Sequence, residues 1–155
     1  MSIFKSTKVF DGFSTVFRQW RADGTHCQKL HGYGVSFKLW FEGELDERNW
    51  VWDFGGMKRA KGKIDGKSPK EWMDYMFDHT FLVADDDPFR DSFLKMDEAG
   101  VAQVRIVPAT GAERFAQFVY DKVAPFIETE TEGRVKVVKV EFREHGKNSA
   151  IYVPR

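Results

Sequence analysis

Three groups of side chains in this sequence have types and spacings that chemistry can use. The first lies in Thr25-His-Cys-Gln-Lys-Leu-His-Gly-Tyr-Gly34, where Cys27 stands four residues before His31 and Tyr33 follows two residues after it. The second is the adjacent pair Asp78-His79, and the third is Glu144, near the end of Val135-Lys-Val-Val-Lys-Val-Glu-Phe-Arg-Glu144. Cys27 is either an inert buried thiol or a nucleophile, and it becomes reactive only where a base or a positive charge stabilises the thiolate. His31 and His79 are its candidate partners. In Asp78-His79 the carboxylate can fix the imidazole tautomer and raise its basicity. Neighbouring side chains of a regular strand point apart, so that pairing needs a kinked backbone or a second chain.

A metal site fits the first stretch poorly. Catalytic zinc takes three protein ligands and leaves one position open. Two histidines at i and i+2 of a strand would make half of such a site, but here the i+2 position is Tyr33, a phenol protonated near neutrality with a pKa of about 10. His31 alone does not hold zinc against water. Cys27 is the only cysteine, which excludes an intramolecular disulfide and a four-cysteine zinc cluster. His26 and His145 carry no assigned role. Glu144 occupies a position whose strand parity calls for an apolar residue. It is either exposed at the strand end or partly buried. A buried carboxylate there can accept two parallel hydrogen bonds from an amidine-like ring edge, as in a pterin or guanine.

The elements that must position these residues follow from periodicity. Tyr33, Val35, Phe37, Leu39 and Phe41 alternate along one face of a strand, with His31 in the same parity. Val138, Val140, Phe142 and Glu144 alternate likewise, and Ser149–Val153 after His-Gly-Lys-Asn predicts a closing hairpin. The segment Phe41–Phe54 reads as a turn leading into a second short strand. Ser68-Pro-Lys-Glu71 combines an N-cap, proline at the first helical position and a capping-box glutamate. Asp87-Pro88 opens a shorter helix that Gly100 ends. Phe115, Ala116, Val119, Val123 and Phe126 place the longest helix from Ala112 onward, and Val101–Pro108 is a candidate extra strand. Strands, helices, then strands imply one α+β domain over residues 1–155, an antiparallel sheet with helices packed on one face.

Composition narrows the partners. The 155 residues carry 24 basic and 24 acidic side chains. That balance argues against broad attraction to nucleic acid and tolerates self-association. No apolar run approaches the ~20 residues that span a bilayer, and no Lys-led apolar leader opens the chain. The chain therefore reads as a soluble cytoplasmic protein, away from membranes.

Taken together, the motifs resemble the 6-pyruvoyl-tetrahydropterin synthase family, which includes the 6-carboxy-tetrahydropterin synthases of queuosine biosynthesis. The matching segments are Cys27–Phe37, Trp50–Lys58, Asp78–Val83, Ala112–Val123 and Val140–Tyr152, in that order along nearly the whole chain, with a longer segment at Asp85–Pro108. The resemblance implies a tunnelling fold, a four-stranded antiparallel sheet with two long helices on one face, joined between subunits as trimers or hexamers with active sites at the joins. It implies that Cys27, Asp78 and His79 transfer protons, that Glu144 anchors a pterin, and that 7,8-dihydroneopterin triphosphate or a related reduced pterin is the substrate. His31 and Arg18 complete the expected ligand contacts, Arg18 as a fixed positive charge if it points into the pocket.

The departures are specific. The resemblance implies zinc on three histidines, at positions 17, 31 and 33 here, but two of these are Phe17 and Tyr33. No metal or other cofactor is therefore expected. Val107-Pro-Ala-Thr-Gly-Ala-Glu113 also carries extra residues where the family has a compact Pro-Thr-x-Glu. Two readings follow: a pterin-processing lyase working without the usual zinc, or a catalytically inactive binder of a pterin or purine in the same pocket.

Overall fold

In a computed structural model covering residues 1–155, a long hairpin forms first, from β1 (Phe4–Phe17) and β2 (His31–Gly43). In β2 the expected alternation is realised: Val35, Phe37, Leu39, Phe41 and Gly43 are buried and the residues between them are half-buried. In β1 the parity shifts at an irregularity between Phe10 and Phe13, where one extra residue faces β2. Gly12 supplies its positive φ of 82°, a conformation costly for any residue with a Cβ. The shift lets both Phe10 and Phe13 face the core.

A short helix α1 (Gly56–Arg59) precedes α2 (Pro69–Phe77), where Ser68 Oγ accepts the Glu71 N–H as the capping box requires. Strand β3 (Thr80–Ala84), helix α3 (Arg90–Glu98) and β4 (Val104–Val107) come next, then α4 (Ala112–Glu130), β5 (Val135–Arg143) and β6 (Ser149–Tyr152). Asp87 starts α3 by accepting the Phe89 N–H, and Gly100 ends it at φ 77°. No helix is long and apolar enough to cross a membrane.

Two fold expectations need correction. The sheet is six-stranded and mixed, ordered β4-β3-β1-β2-β5-β6, and not a four-stranded antiparallel one. β3 runs parallel to β1, and β4 runs parallel to β3. The segment after Asp78 is long enough to make a parallel crossover through α3, which extends the sheet by two strands. The helices also do not share one face. Leu82 joins the main core with α2 and α4, while Phe81, Val83 and Val104 form a second cluster with Phe93 and Leu94 of α3. Alternate residues of a strand face opposite sides, so α3 covers the far face, and β3 is buried along its whole length.

Two smaller readings also change. The segment after β2 is a turn without the expected second strand. Asp46 Oδ1 accepts the Arg48 and Trp50 N–H groups, and Val51 and Trp52 are buried without a strand partner. In β5, Trp40 pairs with Lys139 but Phe41 pairs with Val137, leaving Val138 as the extra residue of a bulge. Val138 is therefore off the core face, which is made by Val135, Val137, Val140 and Phe142.

Candidate functional site

The core-face parity of β1 and β2 delivers Phe17, His31 and Tyr33 to one place. The Phe17 ring lies 4.7 Å from His31 and 6.0 Å from Tyr33, and His31 lies 5.2 Å from Tyr33. Phe17 is fully buried and packs edge-on against Phe115 at 4.9 Å. The β5–β6 turn brings His145 to 5.6 Å from the Tyr33 ring. No spacing in the sequence marks His145; the register of β5 against β2 reveals its place.

The hydrogen bonds define the imidazoles. His31 Nδ1 lies 2.7 Å from the Lys29 carbonyl. A carbonyl only accepts, so Nδ1 carries hydrogen and a neutral His31 presents the lone pair of Nε2. His145 is the converse. Its Nδ1 accepts the Lys147 N–H at 3.1 Å, so the neutral ring presents Nε2–H.

Tyr33 is half-buried among these rings. Burial, then the charge of Glu144, then Cys27, push its phenol above the ordinary value. Glu144 continues the core parity of β5 one residue past its end and is half-buried, with its N–H held by the Asn148 carbonyl at 3.1 Å. The strand's other glutamate is occupied: Glu141 is buried, accepts from Ser149 Oγ at 2.9 Å and lies 3.5 Å from Arg143. Cys27 sits exposed on a single 3-10 turn, His26–Gln28.

Arg18 does not point toward this group. It follows Phe17 in the chain and takes the opposite face. Its Nε and Nη2 donate to the Asp87 carboxylate at 2.9 and 2.8 Å, and Nη1 donates to the Gln28 carbonyl at 3.2 Å. Phe89 and Phe93 lie under the guanidinium, 5.3 and 5.9 Å away. Burial would raise the Asp87 carboxyl, but the Arg18 hydrogen bonds, the Phe89 N–H and the Arg18 charge outweigh it and hold Asp87 below the carboxylate range. Arg18 thus tethers the turn beside Cys27 to the start of α3, while the Gln19 N–H holds the Cys27 carbonyl at 2.7 Å.

Asp78 and His79 pair, and the kink they needed is present. His79 has a φ of 57°, in the left-handed region, and its Nδ1 lies 3.0 Å from Asp78 Oδ1. The same oxygen accepts the Ser14 N–H at 3.2 Å, and the His79 N–H reaches the Ser14 carbonyl at 2.6 Å. The pair flanks β1 on the β3 side, whereas Tyr33 flanks it on the β2 side. Two strand spacings, roughly 10 Å, separate those positions. Within one chain, Asp78-His79 and the His31–Tyr33–His145 group are therefore distinct clusters. A cleft of about 520 Å³ lies across the strands, lined by Ser14, Gly34, Ser36, Arg143 and His145 among others, within the size range of small-molecule sites.

The extra residues before α4 have a local role. Gly111 adopts a φ of 116°, and a Cβ there would lie 2.6 Å from Gln19 Nε2. Thr110 Oγ1 donates to the Arg18 carbonyl at 2.6 Å. That hydroxyl is engaged in holding the Arg18–Cys27 segment.

The zinc implied by the resemblance does not fit. The Phe17 ring has no lone pair, position 33 offers a phenol where the resemblance implies an imidazole, and no three His, Cys, Asp or Glu side chains of the chain group as metal ligands.

The family of 6-pyruvoyl tetrahydropterin synthase matches residues 7–155. Among solved structures, an uncharacterized protein from Wolinella succinogenes is similar over all of both chains, with 21% identity and a TM-score of 0.82. The 6-pyruvoyl tetrahydropterin synthase of Caenorhabditis elegans is 20% identical, covering 100% of this chain and 98% of that one, with a TM-score of 0.63. That of Plasmodium falciparum is 15% identical over 96% of both chains, with a TM-score of 0.58. No curated protein matches the sequence.

Proposed function

The chain belongs to the 6-pyruvoyl tetrahydropterin synthase family, and from that premise we propose that it is a pterin-processing lyase acting on 7,8-dihydroneopterin triphosphate or a related reduced pterin without zinc. The observation that carries this reading is the gathering of Tyr33, His31 and His145 within ring-contact distance, with Glu144 half-buried beside His145 on the core parity of β5. Glu144 supplies the two acceptor oxygens that an amidine ring edge needs. Cys27 removes or returns a proton at the side-chain carbon, and His31 Nε2 accepts a hydrogen bond from a side-chain hydroxyl. Asp78 orients His79 through Nδ1 and leaves Nε2 free as the second proton carrier. The separation of the two clusters within one chain is met if subunits join so that one supplies Asp78-His79 and its neighbour supplies Cys27. Arg18 serves as a positioning residue. Self-association as a trimer or hexamer in the cytoplasm, with no nucleic-acid or membrane partner, belongs to the same proposal.

A second reading is a pterin or purine binder without turnover, favoured by Phe17 and Tyr33 at two expected metal positions. Mass spectrometry of products from 7,8-dihydroneopterin triphosphate separates the two. The lyase forms product in the presence of a chelator and loses it in Cys27→Ala. Substrate recovered intact from a protein that binds it supports the binder.

A further inference from the structure

His79 is held in place by hydrogen bonds and not by packing. Its side chain is 77% exposed, and its φ of 57° lies in a left-handed region that a residue with a Cβ leaves unless its surroundings hold it there. Both ends of the residue are held. The His79 N–H donates to the Ser14 carbonyl of β1 at 2.6 Å. The His79 carbonyl accepts from the side-chain amide of Gln103, Nε2, at 3.1 Å, and no backbone N–H reaches it. Gln103 is itself fixed at this place, because its own carbonyl accepts the Phe81 N–H at 2.8 Å and so continues the parallel pairing of β3 with β4. Gln103 belongs to the longer segment Asp85–Pro108. The crossover through α3 therefore does more than widen the sheet: it returns an amide donor to the histidine that has a carboxylate partner.

We propose that Gln103 is a positioning residue for His79. By holding the His79 carbonyl, its amide keeps the backbone in the left-handed conformation in which Nδ1 meets the Asp78 carboxylate and Nε2 is left free as the proton acceptor. The part in proton transfer rests on the lyase reading above. A carboxylate accepts, so the neutral ring carries its hydrogen on Nδ1, 3.0 Å from Asp78 Oδ1. Without the Gln103 donor the His79 carbonyl turns toward water and φ relaxes. The imidazole then swings away from Asp78 and takes the Nε2–H tautomer that free histidine favours. Nε2 would carry a hydrogen where a proton acceptor needs a lone pair.

The test is imidazole 15N NMR of the neutral His79 ring, whose signals are assigned by their loss in His79→Gln. The spectra compare the unmodified chain with Gln103→Met, which keeps the length of the side chain and lacks its N–H. Gln103 is exposed, so the variant should fold, and its urea midpoint is measured alongside. The unmodified chain should show mainly the Nδ1–H tautomer. In Gln103→Met that form should fall to the minority, with Nε2–H dominant. An Nε2–H ring in the unmodified chain, or an Nδ1–H ring that survives Gln103→Met, overturns the assignment whatever the urea midpoint does, because a merely structural glutamine shifts the midpoint and leaves the tautomer. Neither ligand nor turnover enters the measurement, so a failure of the lyase reading in the product assay is distinguishable from a failure of this one.

Discussion

Arg18 and Asp87 illustrate how far a residue's role departs from its type. A lone arginine one position from the expected site suggests an electrophile, but strand alternation turns it to the far face. There its fork meets a carboxylate whose side chain is only 2% exposed. Such a pair differs from surface ion pairs worth ~0–1 kcal/mol, because removing one partner leaves a desolvated charge. Asp87→Asn should cost about 1.5–3 kcal/mol at pH 7, measured by urea unfolding. The pH dependence follows from the lowered carboxyl. The unfolded chain binds that proton near pH 3.9, the folded one only at lower pH, so the contribution is full above about pH 4 and is lost as pH falls through the folded value. The gap between the two proteins should therefore narrow on acidification below about pH 4. The partly buried position of Glu144 was legible as one of two readings of its parity. The nearness of His145 to Tyr33 was not, because it depends on which rings the register of β1, β2 and β5 brings together.

At the scale of elements, the signals that held were local ones. The capping box at Ser68, the stop at Gly100 and the alternation of β2 each rest on chemistry within a few residues. What periodicity did not reveal was non-local. The bulges at Gly12 and Val138 shift parity without any change in residue class, and β3 joined β1 in parallel through a crossover that its short apolar run does not announce. The fully apolar Phe81–Ala84 was the available clue, since burial on both faces demands a second cover. That cover is α3. Phe81 is 3% exposed and lies 4.7 Å from the Phe93 ring. Phe81→Ala should therefore destabilise the fold by about 3–5 kcal/mol, a loss that denaturant unfolding measures directly. A Phe81→Ala protein of unchanged stability would mean that α3 does not pack there.

For the whole molecule, the mixed sheet leaves two short edges, β4 and β6, each four residues long. Ile151 is half exposed on β6, an unpaired edge of the kind that recruits another chain. Light scattering should give a mass that is a multiple of 18.0 kDa, and Ile151→Lys should lower it, because a charged edge residue opposes pairing. A monomer in both proteins would leave Asp78-His79 without a partner chain to serve. The central claim is a pterin site anchored by Glu144 and independent of metal. Its most direct measurement is the affinity for 7,8-dihydroneopterin triphosphate, in excess chelator, of the unmodified chain and of Glu144→Gln. The account predicts binding by the unmodified chain and a loss of at least roughly tenfold in Glu144→Gln, since charge-assisted hydrogen bonds contribute about 1.5–3 kcal/mol. Binding that requires added zinc, or that Glu144→Gln leaves unchanged, would contradict it.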